Sequence, residues 1–225
     1  MKILSIDTSA NTTYICLSEN ENILESVIME SLKNNYSTAK LVPSILKVLK
    51  NNNLTAQDLN AIAVNIGPGS FTGIRVGITV ARTMGQALNI PVIGLPSLKI
   101  LSTLNKTDKK ALILLDARKG KTYRGVYTQE NHTELCPEAI EYEQGINLAK
   151  ENDYFVITDK TMKSMFSELN TEAVDISEIK HDFGIELSKL ALIHLKSKPH
   201  EELAWFKLKP LYIQPPPISM PKKAV

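Results

Sequence analysis

The sequence has few of the residues from which compact catalytic and metal sites are made. Of its 225 residues two are cysteines, Cys16 and Cys136, and four are histidines, His132, His181, His194 and His200. Two thiols make neither a disulfide framework nor a cysteine-rich metal cluster. Both read as small apolar filler in a reducing compartment. No two histidines stand four apart, so the paired-histidine helix face of a metalloprotease is missing, as is a nucleophile elbow. Charge of one sign is also missing. The net charge is +2, with 8 Lys/Arg against 6 Asp/Glu in residues 1–100 and 18 against 18 in residues 101–225. Net charge alone therefore gives neither half a strong grip on nucleic acid, although a local patch stays open. No apolar run nears the ~20 residues of a membrane-spanning helix, and the opening residues read as a strand, not a signal peptide. A cytoplasmic protein is the expectation.

What is present centres on Asn65-Ile66-Gly67-Pro68-Gly69-Ser70-Phe71-Thr72-Gly73-Ile74-Arg75-Val76-Gly77. The apolar run Ala61-Ile62-Ala63-Val64 leads in as a buried strand, and a helical pattern leaves from Phe71 to Leu88. Such a strand–turn–helix gathers backbone N–H groups at a helix N-terminus, where phosphate binds well. Gly67, Gly69 and Gly73 permit close approach of a ligand or of another stretch of backbone. Ser70 or Thr72 can cap the helix. A Walker A loop is excluded, because Ile74-Arg75 follows Gly73 where Lys-Ser/Thr is required. A dinucleotide loop fails on glycine spacing and lacks an acid after the next strand. A phosphate cradle and a tight packing turn that binds nothing both remain.

Taken in order, the chain opens with strands at 2–7, 13–18 and 23–30, joined by short turns as an antiparallel meander. This excludes a plain Rossmann domain, which alternates strand and helix from the start. Asp7-Thr8-Ser9 ends the first strand with a carboxylate and two hydroxyls. Asp7 can hold Mg²⁺ through water while Thr8 and Ser9 donate to phosphate; equally, they can cap their own turn. Residues 37–51 read as a helix with Leu41, Ile45 and Val48 on one face and Val42, Leu46 and Leu49 on another. The apolar surface is broader than one sheet contact needs. The helix after the glycine loop carries Ile74 and Ile78 on its apolar side, with Arg75 and Arg82 together on a solvated edge. A short strand and helix follow, so residues 1–95 read βββαβαβ. Lys106-Thr107-Asp108-Lys109-Lys110 is a polar break. Ala111 to Asp116 then restarts the pattern as an apolar strand ending in an acid, followed by a turn and a strand at 122–128. Further strands are expected near Glu134 and at 154–157, with helices at 142–150, 161–169 and 183–195. The echo of Asp7 in Asp116 suggests duplication. The domain reading is thus 1–105, 106–213 and a proline-rich tail from 214 to 225.

Two tandem βββαβα units describe the α/β fold of the actin-like ATPases. Within that superfamily Asp7-Thr8-Ser9, the Gly-Pro-Gly-Ser-Phe-Thr-Gly-Ile-Arg core of residues 67–75, Asp116-Ala117-Arg118-Lys119-Gly120 with Tyr123, and Pro210-Leu211-Tyr212 resemble the TsaB (YeaZ) family. The resemblance spans nearly the whole chain; residues 130–180 match in pattern only. One departure is Tyr36-Ser37-Thr38, where family members often carry His-Ser-Glu.

The resemblance implies a scaffold, not an enzyme. TsaB-like proteins pair with the larger paralogue TsaD and the small ATPase TsaE in bacteria. The assembly transfers a threonylcarbamoyl group to the adenosine beside the anticodon of tRNAs that read codons beginning with A. Metal and ATP are expected on TsaD and TsaE, and no cofactor on this chain. tRNA is reached through the complex. In the family the helices equivalent to 37–51 and 71–88 pack on TsaD, or on a second copy when TsaB is alone. That resemblance places Leu41, Ile45, Val48, Ile74, Ile78 and Arg82 on or near the partner interface. Asp7, Thr8, Ser9, Gly67, Gly69 and Ser70 become a vestigial phosphate site. Two other classes stay open: an ATPase or small-molecule kinase, and a metallopeptidase, after an old glycoprotease label. The first needs a late, glycine-rich adenosine loop, yet Gly184 is the last glycine.

Overall fold

A computed structural model describes residues 1–30, 37–130, 132–166, 173–197 and 199–214. Tyr36 and the proline-rich tail lie outside the described residues. Strands β1 (Lys2–Asp7), β2 (Thr12–Glu19) and β3 (Asn22–Glu30) form the expected meander. Helix α1 (Ser37–Asn51), strand β4 (Ala61–Asn65), helix α2 (Phe71–Leu88) and strand β5 (Val92–Leu95) complete the first unit. The sheet order is β3-β2-β1-β4-β5, with β4 and β5 parallel to β1. Helix α3 (Ser97–Ser102) leads to β6 (Ala111–Asp116), β7 (Lys121–Tyr127), β8 (Thr133–Glu141), α4 (Tyr142–Glu151), β9 (Phe155–Thr158), α5 (Lys160–Phe166) and β10 (Ala173–Asp175). Their sheet runs β8-β7-β6-β9-β10, the first order repeated. Duplication is thus in the topology: each central strand ends in an acid and turns into an antiparallel partner.

The central strands β1, β4 and β6 are buried on both faces, which explains why they read as unbroken apolar runs. Helices α1 and α2 cover one face of the first sheet through Leu41, Ile45, Val48, Leu49, Ile74, Ile78 and Ala81, which pack on Leu4, Ile6, Ile15, Leu17, Ile62 and Val64. Each such Leu, Ile or Val side chain contributes about 1.5–3 kcal/mol by leaving water. Helix α6 (Phe183–Ser197) covers the opposite face, where Leu187, Leu190, Ala191 and Leu195 meet Ile3, Ala61, Ala63, Ile93 and Leu95.

The boundary at 105/106 separates the two sheets but not the helices. Helix α3, from the first half of the sequence, packs Leu98 and Leu101 against Ala111, Ile113, Tyr127 and Ile157 of the second sheet. Helix α6, from the second half, serves the first sheet. Residues 205–212 return as well: Trp205 and Leu208 join the core under α2, and the Leu211 N–H donates to the Ile66 carbonyl at 2.9 Å. Exchange of α3 and α6 cross-links the halves, with the core continuing across both chain crossings.

Burial corrects two readings. Cys16 is buried, and burial pushes its thiol up to about 12, but Cys136 is exposed on β8 and fills nothing. Leu41, Ile45, Val48, Ile74 and Ile78 are at most 4% exposed. They face the sheet and belong to the core, so they cannot present a surface to a partner. The wide apolar stripe of α1 splits at Val42 (48% exposed) and Leu46 (60% exposed), which point outward. Among the described residues no helix is long and apolar enough to cross a membrane.

Candidate functional site

Two places collect the residues that the sequence singled out. The first is the junction of β1, β4, α2 and α3. The Asp7 carboxylate accepts from the Ser9 N–H (2.8 Å) and from the Asn65 amide (2.8 Å). The same amide nitrogen donates to the Ser9 hydroxyl at 2.9 Å. The Asn65 carbonyl oxygen accepts from the Gly67 N–H (2.8 Å) and the Ser97 hydroxyl (2.8 Å). Ser97 also lies 2.7 Å from the Pro68 carbonyl, and its N–H donates to the Gly67 carbonyl at 2.8 Å. Asn65 therefore ties the first strand's acid, the glycine loop and the start of α3 together. All of its side-chain partners are within the chain. The sequence places Asn65 in the motif without a role of its own and does not single out Ser97; an asparagine at the very end of a buried strand is the available signal.

The glycines of this loop serve backbone packing. A methyl group at Gly69 would overlap the Ser9 carbonyl, and one at Gly73 would overlap the Thr8 carbonyl. Only hydrogen on these α-carbons lets α2 lie against the 7–9 turn. The contact is also bonded: the Ser70 N–H donates to the Ser9 carbonyl at 2.6 Å, and the Thr8 hydroxyl to the Gly73 carbonyl at 2.7 Å. Ser70, not Thr72, caps α2, accepting from the Gly73 N–H at 3.3 Å. Gly67 has φ +100, a backbone shape that glycine adopts freely.

A cleft of about 510 Å³ opens between the halves beside this junction. Asp7 and Asn65 reach it from the first half, and Asp116, Tyr123, Asp159 and Lys160 from the second. The two acid turns are alike: Asp116 accepts from the Arg118 N–H at 2.6 Å, as Asp7 does from Ser9. Asp159, at the end of β9, accepts from the Asp116 N–H (2.7 Å) and caps α5 through the Met162 N–H (2.9 Å). The Tyr142 hydroxyl donates to Asp116 at 2.6 Å; this bond first, and burial second, push it up to about 12.

The actin-like fold implies a nucleotide with its cation in this cleft. On the first half's side the residues do not fit one. Burial pushes the Asp7 carboxyl above the usual carboxylate range, more than its hydrogen bonds pull it down, which weakens it as a cation ligand. Both of its oxygens are already bonded within the chain. One N–H of the loop, that of Ser70, is spent on the Ser9 carbonyl. Among the described residues no three His, Cys, Asp or Glu stand together as a metal site.

The second place is the outward face of α1 and α2. Phe71, Thr72, Arg75, Val76, Thr79 and Val80 line a shallow apolar groove of about 380 Å³ along α2. Arg75 lies over the Phe71 ring at 3.8 Å and donates to the Tyr212 hydroxyl at 2.9 Å. Phe71 and Tyr212 rings stand 5.7 Å apart. Arg82 lies over Trp205 at 5.8 Å. The two arginines lie on the exposed edge of α2, as expected, and from there clasp the returning segment 205–212 against the helix.

Comparison with known proteins agrees with this architecture. A family model described as "TsaD: tRNA N6-adenosine threonylcarbamoyltransferase" matches residues 30–214. The tRNA threonylcarbamoyladenosine biosynthesis protein TsaB of Bacillus subtilis (strain 168) is 38% identical over 133 residues, 58% of this chain and 57% of that protein. TsaB of Escherichia coli (strain K12) is 27% identical over 135 residues, 59% of this chain and 57% of that protein. The chain thus spans less than two thirds of the length of the curated relatives it matches. Among solved structures, YeaZ from Pseudomonas aeruginosa superposes with a TM-score of 0.76 at 23% identity, covering 94% of this chain and 99% of that one. The ROK hexokinase of Thermus thermophilus follows the same actin-like fold, with a TM-score of 0.52 at 10% identity over 88% of this chain and all of that one. By family model, relatives and fold together, the chain belongs to the TsaB (YeaZ) family of TsaD-like proteins.

Proposed function

We propose that the chain is a non-catalytic subunit for threonylcarbamoyl transfer to the adenosine beside the anticodon of tRNAs reading codons that begin with A. Its partners are a TsaD-like paralogue, which carries metal and catalysis, and a TsaE-like ATPase. It works in the cytoplasm, needs no cofactor of its own and meets tRNA through the complex. The observation that carries this reading is the closure of the glycine loop on the 7–9 turn. The groups that a phosphate site would use, Asp7, Thr8, Ser9, Gly69 and Ser70, are bonded or packed against one another. A stable, filled loop suits a scaffold.

The docking surface in this reading is the outward face of α1 and α2, centred on Val42, Leu46, Phe71 and the α2 groove. The same face would pair two copies when the chain is alone. Arg82, partly exposed, stays at its edge. Co-purification with the TsaD-like protein of the same organism, followed by a transfer assay, tests the proposal; a chain that stays apart overturns it.

One observation favours a second reading, an ATPase or small-molecule kinase: the 510 Å³ cleft with Asp116, Asp159 and Lys160 on its second-half wall. Measured ATP affinity separates the two. The scaffold reading expects no saturable binding at millimolar ATP, and a micromolar dissociation constant would favour the enzyme.

A further inference from the structure

We propose that the turn after β6 is a contact for the phosphate backbone of RNA, with Arg118, Lys119 and Lys160 supplying the positive charge. The inference rests on the tRNA role proposed above and gives this chain a phosphate contact of its own within that assembly. The backbone of the turn is strained. Arg118 (φ 63), Lys119 (φ 53) and Gly120 (φ 77) are left-handed one after another. Side chains disfavour this region, and it persists where the surroundings impose it, often at sites of function. Here the Asp116 carboxylate accepts from the Arg118 N–H at 2.6 Å. The Ala117 N–H donates to the Lys121 carbonyl at 2.8 Å, and the Tyr142 N–H to the Gly120 carbonyl at 2.9 Å. The two strained residues that carry side chains are both cations, and both are exposed.

Their charge is unanswered. Around the same sheet Lys110, Lys121, Arg124 and Lys163 each pair with a glutamate. Among the described residues no acid pairs with Arg118, Lys119 or Lys160. The nearby carboxylates are engaged elsewhere: Asp116 by the Arg118 N–H and the Tyr142 hydroxyl, Asp159 by two further N–H groups. Lys160 follows Asp159 directly, and Asp159 holds the Asp116 N–H. The three cations therefore stand at the ends of neighbouring strands, β6 and β9, about 5 Å apart. Asp116 and Asp159 line the cleft, where a polyphosphate would meet their carboxylates, whereas Arg118 and Lys119 lie outside its lining. That favours a chain of phosphates passing across the mouth over a nucleotide inside. Burial pushes the Tyr123 hydroxyl up and the Arg118 charge pulls it back, so the guanidinium stands near a ring that lines the cleft. An aromatic ring beside cations suits a base stacked next to its own phosphate.

The test uses the full chain alone, native and with Arg118→Asn, Lys119→Asn and Lys160→Gln together. Asparagine tolerates the left-handed backbone, so the turn keeps its shape. The probe is a fluorescent tRNA transcript that reads a codon beginning with A, followed by anisotropy over a salt series that starts low. The triply substituted chain is expected to bind at least about tenfold more weakly, with a slope of log affinity against log salt shallower by about 2. Millimolar ATP at matched ionic strength is expected to leave the native chain's tRNA binding unchanged. If the triple substitution lowers the melting temperature, Lys160→Gln alone, at an exposed position, is expected to remove about 0.9 of the slope. Equal affinity and slope in native and substituted chains, or no tRNA binding by the native chain, overturns the proposal. So does displacement of tRNA by ATP, since a nucleotide is then the occupant. None of these readouts needs the TsaD-like partner, so they can fail while co-purification succeeds, and the reverse.

Discussion

The amide of Asn65 donates to Asp7 at 2.8 Å and so binds the end of β4 to the end of β1. Its carbonyl oxygen holds Gly67 and Ser97. Replacement by alanine leaves several buried polar groups short of a partner at once. Each costs about 1–3 kcal/mol, with Ser97 partly relieved by its second bond to Pro68. Asn65→Ala is expected to lose about 3 kcal/mol of unfolding free energy in urea. A loss below about 0.5 kcal/mol would show the network to be dispensable.

Gly73 faces the Thr8 carbonyl with no room for a methyl group. Gly73→Ala must push α2 away from the 7–9 turn, and overpacking of this kind costs about 1–3 kcal/mol or more. Gly120, by contrast, has no neighbour closer than 3.9 Å to an added methyl, although its φ of +77 strains any side chain. The expected order of melting temperatures is native, then Gly120→Ala, then Gly73→Ala. The reverse order of the two variants contradicts the packing role assigned to Gly73.

Asp7 makes stability depend on pH in a definite direction. Burial raises its folded pKa above 3.8. The folded state therefore holds the proton more tightly than the unfolded state. Its contribution is full below the unfolded value and is lost as pH rises toward the folded one. Relative to Asp7→Asn, which cannot titrate, the native chain should become less stable as pH climbs above about 4. Urea unfolding of both forms across that range reads the difference. A native chain that gains on the variant with rising pH refutes the burial argument.

Leu41 and Leu46 sit on the same helix but face opposite ways, 0% and 60% exposed. Leu41→Glu buries a charge in the α1–sheet core and is expected to unfold the chain, at a cost above about 4 kcal/mol. Leu46→Glu should change stability by no more than about 0.5 kcal/mol, yet weaken pairing at least about tenfold, or ~1.4 kcal/mol. Circular dichroism and sedimentation separate the two effects.

That pair also marks how far the sequence could be read. The helical period of α1 and α2 was legible because one face of each is buried, and β1 and β6, buried on both faces, were legible as unbroken apolar runs. The two acid turns were legible because Asp7 and Asp116 end apolar runs. Which apolar stripe of α1 meets the sheet was not legible, since Leu41 and Leu46 are chemically identical and only long-range packing on the sheet and on α2 decides. Strand β10 is three residues long, too short to show a period. The exchange of α3 and α6 is long-range and leaves no local trace. Residues 205–212 carry no regular pattern; Trp205 and Tyr212 are held by arginines 123 and 137 positions away.

The most direct measurement is threonylcarbamoyl transfer to tRNA by the TsaD-like and TsaE-like proteins of the same organism. It is run without this chain, with the native chain, and with Leu46→Glu. The account predicts transfer at background without the chain, full transfer with the native form, and most of it lost again with Leu46→Glu. Transfer that proceeds equally in all three, or ATP hydrolysis by this chain alone at the rate of the assembly, would contradict it.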